Sequence, residues 1–347
     1  MKKDIILYTE NLQKHFGLDA GFFAKKNKQV YAVNGVSFEI ERGKTYGLVG
    51  ESGCGKTTTA RLLVRMYNAD SGKIYFNPQE KTEPIEVANL DKKALSAYRE
   101  KVKYIFQDPS RSLNPRMTIA SILSSPLKYS SHWQGKEQAR EKATELLEEI
   151  GLDKADLDRR PQEFSGGQRQ RISIARGLIL EPELLICDEV VSALDVSVQA
   201  QILNLLQDLR KKRGLSFLFI AHDLKVSCYF CDTIGVMYRG MIVEEAEAKD
   251  LYKEALHPYT QTLFAGAGGK FQVEKTGEMK TLLENLSGCP FAHRCPRAQE
   301  KCRSEIPRRS PCLPLRPANT NHRQRHTATE GIPLQHAYQH SDFSSQG

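Results

Sequence analysis

The sequence has no long apolar run. A membrane-spanning helix needs about 18 or more consecutive apolar residues, and the longest candidates, such as residues 215–221, have only the length of a strand. Two lysines near the amino terminus are followed by a short apolar stretch that stops at Thr9 and Glu10, which is too short for a signal peptide. We therefore expect a cytoplasmic protein that reaches a membrane only through a partner.

A large excess of charge is also absent from most of the chain. The net charge is +8, and residues 270–347, with 12 Lys and Arg against 7 Asp and Glu, account for five of those charges. The remainder is nearly neutral, which argues against a large nucleic-acid-binding surface there. The 40% hydrophobic and 27% charged residues are ordinary for a globular protein.

Apolar strands alternate with helical patterns along much of the chain. The strand LLICDE, the helix VQAQILNLLQDLRKKRG and the strand LSFLFIAH follow one another, which predicts a parallel sheet covered by helices. Two earlier strands are predicted around residues 5–9 and 31–40, and KEQAREKATELLEEIGL predicts an amphipathic helix that ends at Gly151. Beyond Gly266 the periodicity fades, and the last ~25 residues are predicted to be disordered.

A glycine-rich loop follows one of the apolar strands and begins a helix. It reads GESGCGKT and fits the pattern GxxxxGK[ST], in which glycines let backbone N–H groups surround phosphates. Lys56 can reach the β and γ phosphates, and the Thr57 hydroxyl can bind Mg²⁺. The predicted nucleotide-binding residues here are Gly50, Glu51, Ser52, Gly53, Cys54, Gly55, Lys56, Thr57 and Thr58.

Two acidic residues end the strand LLIC. Asp188 is placed to hold Mg²⁺, and Glu189 is the candidate general base for the attacking water. Taken alone, both could be ordinary acids at a strand end. The glycine loop makes a catalytic role the better interpretation.

The motif FSGGQ at residues 164–168 begins another helix and predicts a second anion-binding N-terminus. Together with GESGCGKT, CDEVVSALD and AHD, in this order, it resembles the nucleotide-binding subunits of ABC transporters over about residues 1–266. The resemblance implies an α/β fold of the P-loop NTPase class and of ABC type. This fold has a mostly parallel sheet core, an antiparallel β subdomain, a helical subdomain at about 108–178 and an irregular C-terminal extension.

The same resemblance implies roles for residues outside the glycine loop. Two chains would sandwich ATP, and the signature residues Ser165, Gly166, Gly167 and Gln168 would contact the γ-phosphate held by the partner. Gln107 would sense Mg²⁺ and relay to a membrane subunit, Asp195 would lie at the dimer seam, and His222 would contact the γ-phosphate. Adenine would stack on Phe16, with Tyr31 as the alternative.

QDPSRSLNPRMTI and LHPYTQTL resemble the oligopeptide and dipeptide import ATPases, and SLNPRMTI is similar to their F-type subunit. The resemblance implies an ATPase that powers peptide import at the cytoplasmic face of the membrane. It implies as partners a D-type sister ATPase or a second copy, two permease subunits and an extracytoplasmic substrate-binding protein. Nickel complexes or sugars are alternative cargoes.

The segment GCPFAHRCPRAQEKC resembles the C-terminal iron–sulfur segment of these importers, within an extension expected at residues 267–320 and followed by a disordered tail at 321–347. Cys289, Cys295 and Cys302 match, and Cys312 is the remaining thiol of the tail. These four could hold a [4Fe–4S] cluster. A three-thiolate cluster with His322 or His326, loss of the cluster, and a zinc site are the alternatives.

Two other classes of function remain at this point. An ABC-type ATPase acting on nucleic acid would use the basic cysteine tail as a zinc module, but such enzymes carry a longer insertion before the FSGGQ motif. A nucleotide-binding module without turnover is disfavoured by the presence of Lys56, Asp188, Glu189 and His222.

Overall fold

The structure is a computed structural model that describes residues 4–17, 29–79, 83–266 and 288–305. The described strands β1 to β11 are Ile5–Gly17, Gln29–Val36, Glu39–Glu41, Thr45–Val49, Ser71–Phe76, Ile85–Glu86, Val102–Ile105, Leu184–Asp188, Ser216–Ala221, Thr233–Tyr238 and Met241–Glu247. The described helices α1 to α11 are Lys56–Leu63, Lys92–Lys101, Pro109–Ser112, Ile119–Lys128, Lys136–Glu149, Gly166–Leu178, Val196–Arg213, Leu224–Phe230, Ala248–Lys253, Pro258–Gly266 and Lys301–Ser304. Within these ranges, no helix combines the length and the apolar character that crossing a membrane requires.

The central sheet has six strands in the order β11-β10-β4-β9-β8-β7. Neighbours from β10 to β7 are parallel, and β11 pairs antiparallel with β10 at one edge. Leu184 and Ile186 pack into one hydrophobic core, whereas Leu185 and Cys187 pack into a second core on the opposite face. The predicted parallel sheet is therefore confirmed, with apolar packing on both faces as such sheets require.

A second sheet is entirely antiparallel, with β1 between β2 and β5, β6 beyond β5, and β3 also pairing with β1. The prediction of a first strand limited to residues 5–9 was wrong, because β1 continues to Gly17. Its second half is polar in sequence, but pairing with β2 and β5 satisfies the backbone, with register shifts at Leu12/Gln13 and Lys14/His15. The predicted second strand is divided into β2 and β3.

A mostly helical segment connects β7 to β8. Helix α5 turns Ala143, Leu146 and Leu147 into the core that also holds the start of α4 and much of α6. Gly151 follows α5 with a φ of +75°, which is the helix ending that the sequence predicts. This segment holds the SGGQ motif at the start of α6.

Candidate functional site

A cleft of about 420 Å³ lies at the carboxyl edge of the central sheet. Parallel strands bring their following loops to the same edge, so the residues after β4, β7 and β8 converge there. The residues that line the cleft are Val30, Tyr31, Ala32, Ser52, Gly53, Gly55, Lys56, Thr57, Thr58, Gln107, Glu189, Arg239 and Gly240.

The glycine loop is held against its neighbours so closely that two of its positions have no room for a side chain. A Cβ atom on Gly50 would lie 2.1 Å from the Met237 carbonyl oxygen, and one on Gly55 would lie 2.1 Å from that of Ala32. Gly55 is the N-cap of α1 with a φ of +113°, and no side chain caps the helix start. The first N–H groups of α1 are thus available to an anion.

Lys56 is buried, and its ammonium group donates hydrogen bonds within the loop. Its Nζ lies 2.7 Å from the carbonyl oxygen of Gly50 and 3.1 Å from that of Glu51. A positive charge is therefore enclosed by the loop beside the uncapped helix start. Cys54, in the same loop, is a buried thiol, and burial raises its pKa.

Asp188 ends β8 and is bound on both carboxylate oxygens. The Thr57 hydroxyl donates to one oxygen at 3.0 Å, and the Tyr104 hydroxyl donates to the other. Burial, followed by the charge of Asp188, raises the pKa of Tyr104, so this hydroxyl remains a donor. Sequence reasoning missed Tyr104; the signal for it was its place on the strand that leads to Gln107.

Glu189 and Gln107 meet at the mouth of the cleft. The Gln107 side-chain amide donates to the Glu189 carboxylate at 2.7 Å. Glu189 has a φ of +51°, a conformation that is costly for a residue with a side chain. Its N–H donates to the Ile220 carbonyl oxygen at 3.0 Å, which ties this turn to the neighbouring strand β9.

His222 directly follows β9, which lies between the strand of the glycine loop and the strand of Asp188. Its side chain is exposed at the same sheet edge. Of the two aromatic candidates, Tyr31 lines the cleft. The Phe16 ring instead packs edge-on against Tyr67, with centroids 5.4 Å apart.

The SGGQ residues lie elsewhere, at the start of α6, and do not line this cleft. Gln168 N–H donates to the Ser165 hydroxyl at 3.3 Å, and Ser165 N–H donates to the Gln168 side chain at 2.9 Å. Gly167 packs against α7, where a Cβ would lie 2.6 Å from Val198, and a Cβ on Gly166 would lie 3.7 Å from the Leu194 side chain. Asp195 caps α7, and hydrogen bonds from Ser197 and then Val198 lower its pKa.

The cysteine segment packs beside the central domain. Cys289 and Cys295 contact the core that contains Phe291, and the Cys289 N–H donates to the Cys302 carbonyl oxygen at 2.7 Å. Within the part of the chain that the structure describes, no three Cys, His, Asp or Glu side chains form a group able to hold a metal. Cys312, His322, His326 and the tail at 321–347 lie outside the described residues.

Residues 33–192 match the family model "ABC transporter", and residues 243–302 match "Oligopeptide/dipeptide transporter, C-terminal region". The solved structure of cbiO1 from Clostridium perfringens, part of the ABC transporter complex cbiONQ, is 25% identical, covers 73% of this chain and 92% of its own, and has a TM-score of 0.61. The dimeric cassette MJ0796 in a post-hydrolysis state with ADP and Pi is 26% identical, with 70% and 99% coverage and a TM-score of 0.60. The fold and the family match are those of an ABC-type ATPase, which confirms the predicted fold class and enzyme class.

Curated relatives narrow the family. The oligopeptide transport ATP-binding protein AppF of Bacillus subtilis is 42% identical over 88% of this chain and 93% of its own. The dipeptide transport ATP-binding protein DppF of Escherichia coli is 41% identical over 90% of both chains. This chain belongs to the ATP-binding subunits of the oligopeptide and dipeptide family of ABC transporters.

Proposed function

We propose that the chain binds ATP in the 420 Å³ cleft and hydrolyses it to power import of di- or oligopeptides through a membrane transporter. The observation that carries this proposal is the uncapped helix start beside Lys56, next to the acidic residues Asp188 and Glu189 at the end of β8. The second family match and the peptide-transport relatives support peptides as the cargo.

The glycine loop holds the triphosphate in this proposal. Backbone N–H groups of residues 50–58 and the start of α1 bind phosphate oxygens, and Lys56 turns from the loop carbonyls to the β and γ phosphates. Thr57 and Asp188 offer adjacent hard oxygen ligands, which fit Mg²⁺, and Gln107 completes the set. When bound, Mg²⁺ neutralises charge on the β and γ phosphates.

Glu189 acts as general base on the attacking water, and Gln107 orients its carboxylate. His222 contacts the γ-phosphate from the end of β9. Tyr31 is favoured over Phe16 as the adenine-stacking residue because it lines the cleft. Most of the catalytic effect is positioning and electrostatic stabilisation, as in other phosphoryl transfers.

The SGGQ residues act in trans. Ser165 to Gln168 lie outside the cleft of their own chain, so they can complete the site of a second subunit, with Asp195 at the seam. That subunit is a D-type sister or a second copy. Both MJ0796 structures are described as dimeric, which supports a two-subunit ATPase.

The assembled transporter contains two permease subunits and takes cargo from an extracytoplasmic substrate-binding protein. The chain binds this assembly peripherally at the cytoplasmic face, with residues 1–266 as the nucleotide-binding domain and 267–320 as the extension. Gln107 relays nucleotide state to the permeases. No nucleic-acid partner is proposed, since most of the net charge lies in the tail.

Purification from the native membrane followed by reconstitution into vesicles tests this function. Permease subunits should co-purify, and peptide delivered by the binding protein should stimulate phosphate release. If nickel complexes or sugars stimulated phosphate release and peptides did not, the proposed cargo would be wrong and one of these would take its place. Salt-sensitive binding to duplex DNA without co-purifying permeases would overturn transport in favour of a nucleic-acid ATPase.

We also propose a [4Fe–4S] cluster on Cys289, Cys295, Cys302 and Cys312. The backbone bond between Cys289 and Cys302 supports it by bringing two of these positions together. Because the three described thiols do not form a metal-ligating group, assembly requires their side chains to turn and Cys312 to join them. Anaerobic purification with iron, sulfide and zinc analysis tests this: about four iron atoms per chain support the cluster, whereas zinc or no metal contradicts it.

A further inference from the structure

The back of the glycine loop is covered by the cysteine segment, residues 288–305. Arg294 forms a bidentate ion pair with Glu51, the second residue of the loop. Its guanidinium donates to both carboxylate oxygens, with N–O distances of 3.1 and 3.2 Å. The Arg294 side chain is only 9% exposed and that of Glu51 is 29% exposed. Such forked pairs fix orientation as well as charge.

Aromatic residues of β10, of α10 and of the cysteine segment surround this ion pair. The Arg294 guanidinium lies over the rings of Tyr238 and Phe291 at 5.7 and 5.6 Å. The Tyr259 hydroxyl accepts a hydrogen bond from the Glu51 N–H at 2.9 Å. Phe291 and Tyr259 are fully buried, so the aromatic support is as rigid as the core.

The Glu51 backbone has a further partner that ATP binding would remove. The Lys56 ammonium, which must turn toward the phosphates in the proposed function, donates to the Glu51 carbonyl oxygen at 3.1 Å. Once Lys56 leaves, Arg294 and Tyr259 remain to hold this part of the loop. Glu51 is also the one acidic residue within residues 50–58, a loop that must accept a polyanion.

We infer that Arg294 is a positioning residue of the nucleotide site, holding the glycine loop in its phosphate-binding shape and neutralising the Glu51 carboxylate beside the bound anion. The cysteine segment is thus a working part of the ATP site rather than an independent appendage. Burial opposes the charge on Arg294, but its hydrogen bonds to Glu51 raise the pKa of the guanidinium. The inference rests on the proposed binding of ATP at the glycine loop.

Nucleotide affinity of the full chain tests the inference, with a non-hydrolysable ATP analogue and Mg²⁺ titrated by calorimetry. Arg294→Gln should raise Kd about tenfold, since it leaves an unpaired carboxylate near the phosphates. The double variant Glu51→Gln, Arg294→Gln should recover most of this loss, because no unpaired charge remains. Added salt should reduce the defect of the single variant through screening.

Arg297→Gln, at an exposed position of the same segment, is the matched control and should leave Kd unchanged. Lys56→Ala separates the two proposals: if it binds as tightly as wild type, ATP binding at the glycine loop is itself wrong. If Lys56→Ala loses binding but Arg294→Gln stays within about twofold of wild type, the inference about Arg294 fails. A double variant as weak as the single one would refute the charge argument.

Hydrogen exchange on the wild-type chain gives a second measurement that needs no variant. By reciprocity, the ATP analogue should slow amide exchange in residues 288–305, because each site stabilises the other. Unchanged exchange in this segment, with protection of residues 50–58, would overturn the coupling.

Discussion

Helices α1 and α6 begin with similar sequences, but they differ in whether side chains of the same chain cap their first N–H groups. Both starts are rich in glycine, and both were predicted to bind an anion. At α1, Gly55 gives no side-chain cap, and a cleft encloses the open N–H groups. At α6, Ser165 and Gln168 cap each other, and the start lies outside that cleft.

In the proposed function, this difference distinguishes a phosphate-binding site formed within one chain from a helix start that acts on the nucleotide of a second subunit. The start of α1 has no side-chain cap, so its N–H groups would gain partners from a bound ligand, whereas the start of α6 is already capped by its own side chains. The Ser165 hydroxyl accepts from Gln168 and still has a proton to donate. In the proposed function, its acceptor is a phosphate presented by another chain.

The largest expected effect tests whether hydrolysis belongs to the α1 site. Glu189→Gln should lower turnover of the assembled transporter about a thousandfold, because the general base is lost. The glutamine keeps an oxygen for Gln107, so ATP affinity should remain. Phosphate release and nucleotide titration measure the two quantities, and turnover at the wild-type rate would remove Glu189 from the role of base.

The next test concerns the α6 site. Ser165→Ala should lower turnover of the assembled transporter about ten- to a hundredfold, while the isolated chain keeps its ATP affinity. Thr118→Ala is the matched control, since Thr118 caps α4 in the same helical segment. Equal loss of turnover in both variants would show that cap stability, not contact with the partner's ATP, explains the effect.

A smaller effect is expected for Tyr104. Tyr104→Phe removes one donor from Asp188 and leaves Thr57 as the other. The Mg²⁺ concentration for half-maximal nucleotide binding should rise about tenfold, as for other residues that orient metal ligands. Tyr129→Phe, at a position 79% exposed, should change nothing. An unchanged Mg²⁺ requirement in Tyr104→Phe would make this hydroxyl only a packing contact.

The smallest expected effect concerns His257, a buried histidine beside Tyr259, which supports the glycine loop before α1. Among the described residues, no histidine takes part in the cap of α6. Burial lowers the pKa of His257 to about 4, and its Nδ1 accepts from the Tyr259 N–H at 3.1 Å. The unfolded chain binds this proton below pH 6.5 and the folded chain does not, so stability falls as pH drops from about 6.5 to 4. Glu244, which accepts from the His257 N–H, and the Phe291 ring also face this site.

Urea unfolding at pH 7.0 and 5.5 measures the contribution of His257 to the pH dependence of stability. Between pH 7.0 and 5.5, the free energy of unfolding of the wild type should fall by about 1 kcal/mol more than that of His257→Asn. In this variant an amide oxygen can replace Nδ1 as the acceptor, and it does not titrate. The same loss in both proteins would show that other groups cause the pH dependence.

Local sequence rules were sufficient to predict the positions of the glycine loop, the alternating strands and the starts of α1 and α6. Each depends on residues close together in the chain, where glycine, caps and apolar runs have direct conformational consequences. The same rules failed for the second half of β1, because its pairing with β2 and β5 depends on distant strands.

The sequence by itself determined that this chain carries a phosphate loop, an acidic pair and an SGGQ helix start, and hence its family. Only the tertiary structure decided which side chains hold those groups. Tyr104 and Asp188 are 84 residues apart, and Arg294 and Glu51 are 243 apart. Contacts at such separations follow from how strands and segments pack, and no local pattern specifies them.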